Sequence, residues 1–252
     1  MSETVQRYTL AIVAHLALLL AWYLFVTLGK VPQFVMPSPG ATLDALLQPN
    51  YGWWTNIAVT ATEIFAGYFL ALVVGVALAL VFTWSKPLES FFMPLLVSLN
   101  MIPKVALGPL IIVWFKYGIF PNSMMAFSIC VFPILLTTAR GLREVEPELL
   151  DLVRSLKGSR WQLFSKIQLP GALPYIFAGM KVAVILAVAG AIVGEFLGSD
   201  KGLGYLMLQV QVTLDTPAMF MAVLLITLLG MLLYALVLGL ERLLVVKDAR
   251  VN

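Results

Sequence analysis

With 252 residues, 61% of them apolar, only 12% charged and a mean hydropathy of +0.97, the chain lies far outside the range of water-soluble domains. Its formal net charge is +3 and its basic residues are interleaved with carboxylates, so the pI near 9.0 leaves no footprint for a nucleic-acid partner. One cysteine, Cys130, excludes an intramolecular disulfide, and one histidine, His15, cannot complete a metal site with it; both lie in apolar runs and read as packed side chains.

A bilayer crossing needs roughly 20 apolar residues, and by that measure the sequence predicts one all-α, polytopic membrane domain over residues 1–252, with about six spans. The first, 8–28, follows Arg7 and is succeeded by Lys30, Val31 and Pro32 without a small-x-small cleavage pattern, so it reads as a retained span and not a signal peptide. The connection from Gly29 to about Asn56 contains MPSPGATLDALL, which predicts a short amphipathic helix from near Thr42, lying at the interface or packed as a lid. The second span, 58–83, carries Glu63.

Residues 87–101, with Pro87, Glu89 and Pro94, abut the third span, 102–120, without a polar break and read as an interfacial helix or a bent extension. Pro103 and Pro109, the latter preceded by Gly108, remove backbone donors and predict a bend within the third span. Lys104 sits at the inner start of that span, where its stem can snorkel, and Trp114, Phe115 and Tyr117 read as an aromatic belt. The remaining spans are 122–140, 178–198 and 217–240, separated by a loop of about 141–175 after the fourth.

Lys and Arg are retained in cytoplasmic loops. With the N-terminus inside, Arg7, Lys86, Arg140, Arg143, Arg154, Lys157, Arg160, Lys166, Lys181, Arg242, Lys247 and Arg250 face the cytoplasm, against Lys30, Lys116 and Lys201 outside. The predicted orientation places both termini in the cytoplasm. Glu63 and Glu195 are the deepest ionisable residues. A central charge costs about 2.5–3.5 kcal/mol on insertion scales, so each carboxyl must face the bundle interior, a water-filled path or a partner. Together with Pro103 and Pro109 they are the candidate translocation-path residues, the alternative for the two carboxyls being hydrogen bonds between helices.

Between spans four and five, Leu149, Leu150, Leu152, Val153 and Leu156 keep a helical period, Gly158 interrupts it, and Trp161, Leu163, Phe164 and Ile167 resume it, predicting a helix, a glycine turn and a second helix. Exposed Trp161 and Phe164 beside Arg154, Lys157, Arg160 and Lys166 suit either a protein groove or anionic headgroups.

The same loop resembles the cytoplasmic EAA loop of permeases of binding-protein-dependent ATP-binding-cassette importers, E-A-A-x3-G-x9-I-x-L-P. Ile167, Leu169 and Pro170 fit its end, Asp151 stands at its Glu, Leu152 and Val153 at its alanines, and Lys157 at its Gly, with Gly158 one position later expected to supply the turn. MPSP, GYFLALVVGVALAL, IPKVALGPLIIVWFKYG, FPILLTTARGL and GEFLGSDKGLGYLM extend the likeness along nearly the whole chain, to the branch that moves nitrate, sulfonates, taurine and thiamine-precursor pyrimidines. Lys116 departs from it where the branch often has Gly.

The resemblance implies a bacterial inner-membrane importer subunit. Two permease copies pair, a periplasmic or lipid-anchored solute-binding protein delivers the solute, and a separate ATPase subunit that binds ATP and Mg grips a coupling element formed by Asp151, Arg154, Lys157, Gly158, Trp161, Phe164, Ile167, Leu169 and Pro170. This chain has no G-x-x-x-x-G-K-[ST] segment, so it is expected to bind no cofactor or metal and to have no ATPase site of its own. A channel or secondary transporter that works without ATP is the alternative. A membrane-embedded enzyme would need clustered nucleophiles, carboxylates or metal ligands, which one His, one Cys and Glu residues in separate spans do not offer.

Overall fold

The computed structural model describes residues 3–144 and 147–245, and every regular element among them is helical. In chain order these are α1 (Glu3–Leu28), α2 (Pro39–Leu46), a 3-10 turn (Pro49–Tyr51), α3 (Trp53–Trp84), α4 (Lys86–Met101), α5 (Lys104–Phe115), α6 (Ile119–Arg143), α7 (Pro147–Ser155), α8 (Arg160–Leu163), a π-turn (Phe164–Gln168), α9 (Leu169–Gly198), α10 (Leu203–Val212) and α11 (Thr216–Leu244). Thr9–Leu28, Pro49–Trp84, Ile119–Arg143, Arg160–Gly198 and Thr216–Leu244 are each long and apolar enough to cross a membrane.

The expected third span, 102–120, does not cross by itself, and residues 87–101 join it as the bent extension. With 12 residues α5 is about 18 Å long, too short to cross alone. It joins α4 across Ile102 and Pro103 with the two axes 85° apart, so that residues 86–115 form a bent apolar pair, the shape of a broken span or a re-entrant loop. Pro103 causes the break: it donates no backbone hydrogen bond and holds Ile102 in an extended conformation (ψ 124°).

The centre of the molecule is α3, α6 and α9. In lipid, apolar side chains gain nothing by leaving the solvent, so close approach of backbones carries the packing. Gly67 lies against Ser123 and Ala126 and Gly190 against the Ala126 backbone, both leaving no room for a Cβ, and Gly75 fits tightly against Ile134. α10 and α11 pack against α9 and α3, α2 against α11, α4 against α3 and α6, and α5 against α6 and α9.

The 29–56 connection is a packed lid. Ser38 caps α2 by accepting from the Ala41 N–H (3.2 Å), Trp53 Nε1 donates to Ala45 O (3.0 Å), and Thr216 Oγ1 donates to Phe34 O (2.6 Å). Asp215 caps α11 through the Ala218 N–H (3.2 Å) and accepts a hydrogen bond from the Tyr51 hydroxyl. α1 touches this assembly at its far end, where Trp22 stacks on Phe220 and donates to Pro37 O (3.0 Å). At the opposite, basic end, Arg143 bridges α6 to Glu89 of α4 at 2.5 Å, and Lys181 of α9 pairs with Glu241 of α11 at 3.0 Å.

Candidate functional site

The sequence points to three places: the segment between α6 and α9, the carboxyls in α3 and α9, and the prolines around α5.

The first segment is helix, turn, helix, but it differs from expectation in three ways. The turn is carried by Lys157, not Gly158. Lys157 has φ +54°, and the Gly158 N–H reaches back to Val153 O (2.8 Å), the six-to-one bond of a Schellman cap with Lys157 at the left-handed position. Gly158 matters for room, since a Cβ there would lie 2.5 Å from Val153 Cγ1. Lys116, the other lysine at a family glycine, also has positive φ (+62°). A Cβ is strained in this region by about 1–2 kcal/mol, partly offset by the entropy that glycine loses on folding. Lys157→Gly is therefore expected to stabilise the fold by about 0.5–1 kcal/mol, read as a raised unfolding midpoint in detergent; a lowered midpoint would contradict it.

Second, Phe164 is buried, not exposed. It stacks on Trp84 at the end of α3 (centroids 5.4 Å apart) and on Trp161 (5.6 Å). Third, no loop separates the second helix from the fifth span. Ser159 and Gln162 close a reciprocal capping box at α8, and the chain then runs through the π-turn into α9 as one apolar helix over Arg160–Gly198. The π-turn accommodates Pro170, which lacks the N–H an α-helical turn would use at that point, and the Leu169 N–H bonds back to Phe164 O. Ile167 and Leu169 are thus half-buried parts of the membrane helix, with Pro170 exposed beside them.

What stays exposed is a row of large apolar groups, with Leu152 53%, Leu156 74% and Trp161 67% accessible, together with Asp151 and Lys157. The side chains of Arg7 and Arg154, and all of Lys247 and Arg250, lie outside the described residues.

Glu63 and Glu195, in separate spans, meet. Both are buried, at 0% and 1% exposure, with their carboxyls in contact. Asn122 of α6 donates to Glu63 Oε1 (2.8 Å), and Glu63 Oε2 meets no donor. Thr60 donates to Glu195 Oε1 (2.5 Å), while the Gly204 and Tyr205 N–H groups donate to Glu195 Oε2, the latter at 3.3 Å. The Leu203 N–H donates to Thr60 Oγ1 (2.8 Å) and the Gly202 N–H to Asn56 Oδ1 (2.8 Å).

Every one of the four N–H groups from Gly202 to Tyr205, which a helix start leaves without intrahelical partners, is therefore met by a side chain of α3 or α9. Gly194 permits this, since a Cβ there would lie 3.0 Å from Asn122 Cα. Sequence reading missed Asn56, Thr60 and Asn122. The signal was present, because Asn56, Thr60 and Glu63 are spaced by four and three and so share one face of α3.

Pro103 forms the break between α4 and α5, and Pro109 lies inside α5. Lys104, expected near a membrane rim, sits at this break. Its Nζ donates to Leu99 O (3.0 Å), and with Asn100 and Ser128 it lines a cavity of about 230 Å³ walled by Val74, Phe127 and Val131, midway along α3 and α6. Gly108 lets α5 lie against Leu197 of α9.

Residues 71–246 match the family described as the binding-protein-dependent transport system inner membrane component. A probable ABC transporter permease protein of Haemophilus influenzae is 35% identical over 217 residues, 86% of this chain and 89% of that one. A formylaminopyrimidine transport permease protein of Halalkalibacterium halodurans is 31% identical, covering 91% of this chain and 92% of its own length. The taurine transport system permease protein of Escherichia coli is 23% identical, covering 90% of this chain and 86% of its own. Among solved structures, an inward-facing form of the MetNI methionine ABC transporter superposes with a TM-score of 0.59 at 18% identity, over 73% of this chain and 94% of that chain, a likeness of fold. With these helices and these relatives, the chain belongs to the inner-membrane permease components of binding-protein-dependent ABC importers.

Proposed function

We propose that this subunit acts as a homodimer whose basic end faces the cytoplasm, that Asp151–Pro170 is gripped there by a separate ATP-binding subunit, and that a solute-binding protein delivers a small polar or anionic organic solute from the other side. The observation that carries the reading is the exposed row Leu152, Leu156 and Trp161, standing on a segment continuous with a membrane helix. Large apolar groups ringed by charge at a membrane surface suit a partner's groove.

The stack Trp161, Phe164, Trp84 joins this row to the inner end of α3. Movement of the coupling segment is thereby passed to α3 and α9 together, without a flexible loop to absorb it. Pro103 and Pro109 shape the path by breaking and bending α4 and α5, and Glu63 and Glu195 shape its far end by fixing α10. We take a lysine at a break between two apolar helices, lining a cavity, as a functional position. The Lys104 cavity thus favours a solute with anionic character, such as a sulfonate or nitrate, and pyrimidine-like solutes remain in the proposed range, taurine and formylaminopyrimidine being the solutes in the names of two relatives.

Reconstitution with the ATP-binding subunit and binding protein in vesicles tests the coupling. Uptake is expected to require ATP, and Trp161→Ala to lower uptake by about tenfold or more while ATP hydrolysis persists. Uptake undiminished without ATP, or normal copurification and normal transport in Trp161→Ala, would reject the reading.

A further inference from the structure

The polar cluster at the start of α10 divides its hydrogen-bond donors unequally between two buried carboxyls. Glu195 receives three hydrogen bonds, two from the Gly204 and Tyr205 N–H groups, which can only donate, and one from Thr60 Oγ1, which also accepts from the Leu203 N–H. A carboxylate accepts at both oxygens, and three donors stabilise the charge on Glu195 more than the single Asn122 donor stabilises it on Glu63. Glu195 is therefore the acceptor of the cluster, placed where the first turn of a helix favours a negative charge. Glu63 is different. One of its oxygens accepts from Asn122 and the other, buried, has no donor at all. Its neighbour is the Glu195 carboxyl, and no cationic side chain among the described residues is in reach of either.

We propose that Glu63 carries a proton on Oε2 and donates it to Glu195, so that the two buried groups form one carboxylic acid and one carboxylate, with Glu63 as the positioning residue that holds Glu195 as the anchor of α10. A proton satisfies the single orphaned oxygen. A metal ion would need several oxygens, and those of Glu195 are already occupied. The inference concerns the ionic state of a buried pair and does not rest on the coupling role of Asp151–Pro170.

The full-length chain, purified in detergent at neutral pH without partners, tests it by infrared spectroscopy, thermal unfolding and amide exchange. The unaltered protein is expected to show a protonated-carboxyl C=O band that Glu63→Gln removes. Glu63→Gln should leave the unfolding midpoint and the exchange protection of the Gly204 and Tyr205 amides unchanged, because the Gln amide donates to Glu195 and its oxygen still accepts from Asn122. Glu195→Gln, which sets an N–H donor among donors, should lower the midpoint by about 5 °C or more and expose the α10 amides. If Glu195→Gln does not fold, the Glu63→Gln band and exchange data decide the matter. No such band in the unaltered protein, a Glu63→Gln midpoint as low as that of Glu195→Gln, or a midpoint that rises specifically with sodium or calcium ions would overturn the proposal.

Discussion

Gly202→Ala and Gly202→Val are both expected to leave little folded protein in the membrane, the alanine variant nearly as little as the valine. Gly202 has φ +113°, which side chains rarely adopt, and a Cβ there would lie 2.3 Å from Glu195 Cδ and 2.4 and 2.6 Å from its two oxygens. The first methyl alone meets the carboxyl, so further atoms add little. Relieving the clash must move Glu195 or the start of α10, and either movement strands buried N–H groups and a buried carboxyl. Strain of about 1–3 kcal/mol and each unsatisfied group at about 1–3 kcal/mol together exceed 4 kcal/mol, the range of severe single substitutions. Membrane yield and the unfolding midpoint after detergent extraction check this; alanine close to the unaltered protein would show that α10 is not seated through Gly202.

Glu241→Leu is expected to cost about 3–5 kcal/mol, and the double variant Lys181→Met with Glu241→Leu to recover most of that loss. The Lys181 and Glu241 side chains are 18% and 6% exposed and 3.0 Å apart, clamping α9 to α11 near the basic end. Removing the carboxylate takes the 3.0 Å partner from a poorly hydrated ammonium, whereas the double variant removes both members of the pair. Unfolding midpoints of the two single variants and the double variant form the cycle. A single loss below about 1 kcal/mol, or losses that simply add, would mean that the pair is hydrated and contributes little.

The family and its placement in a membrane were legible in the residues, because the length of an apolar run reports directly whether a helix can cross lipid. The I-x-L-P spacing at Ile167, Leu169 and Pro170 marked the segment between spans four and five. Glu63 and Glu195 stood out because a carboxyl in lipid is costly wherever it points. Two substituted glycines were visible as well, at Lys116 and Lys157, although only the backbone revealed that both keep the left-handed conformation a glycine would take. Pro103 and Pro109 announced a bend within the span 102–120, and the axes put it at its start, at Pro103, where the extension α4 meets α5.

What the chain order alone could not decide is which faces meet. In water a helix shows its buried side by an apolar stripe; in lipid the outer face is as apolar as the inner one, and the stripe vanishes. Phe164 and Trp161 are alike by period, yet one packs on Trp84 and the other is left exposed. Thr60 and Glu195, 135 positions apart, share a hydrogen bond only because glycines let α3, α6 and α9 close together. Composition, set by the surrounding lipid, determined that these helices cross; steric fit and the pairing of a few buried polar groups, which are properties of the packed bundle, decided how they are held.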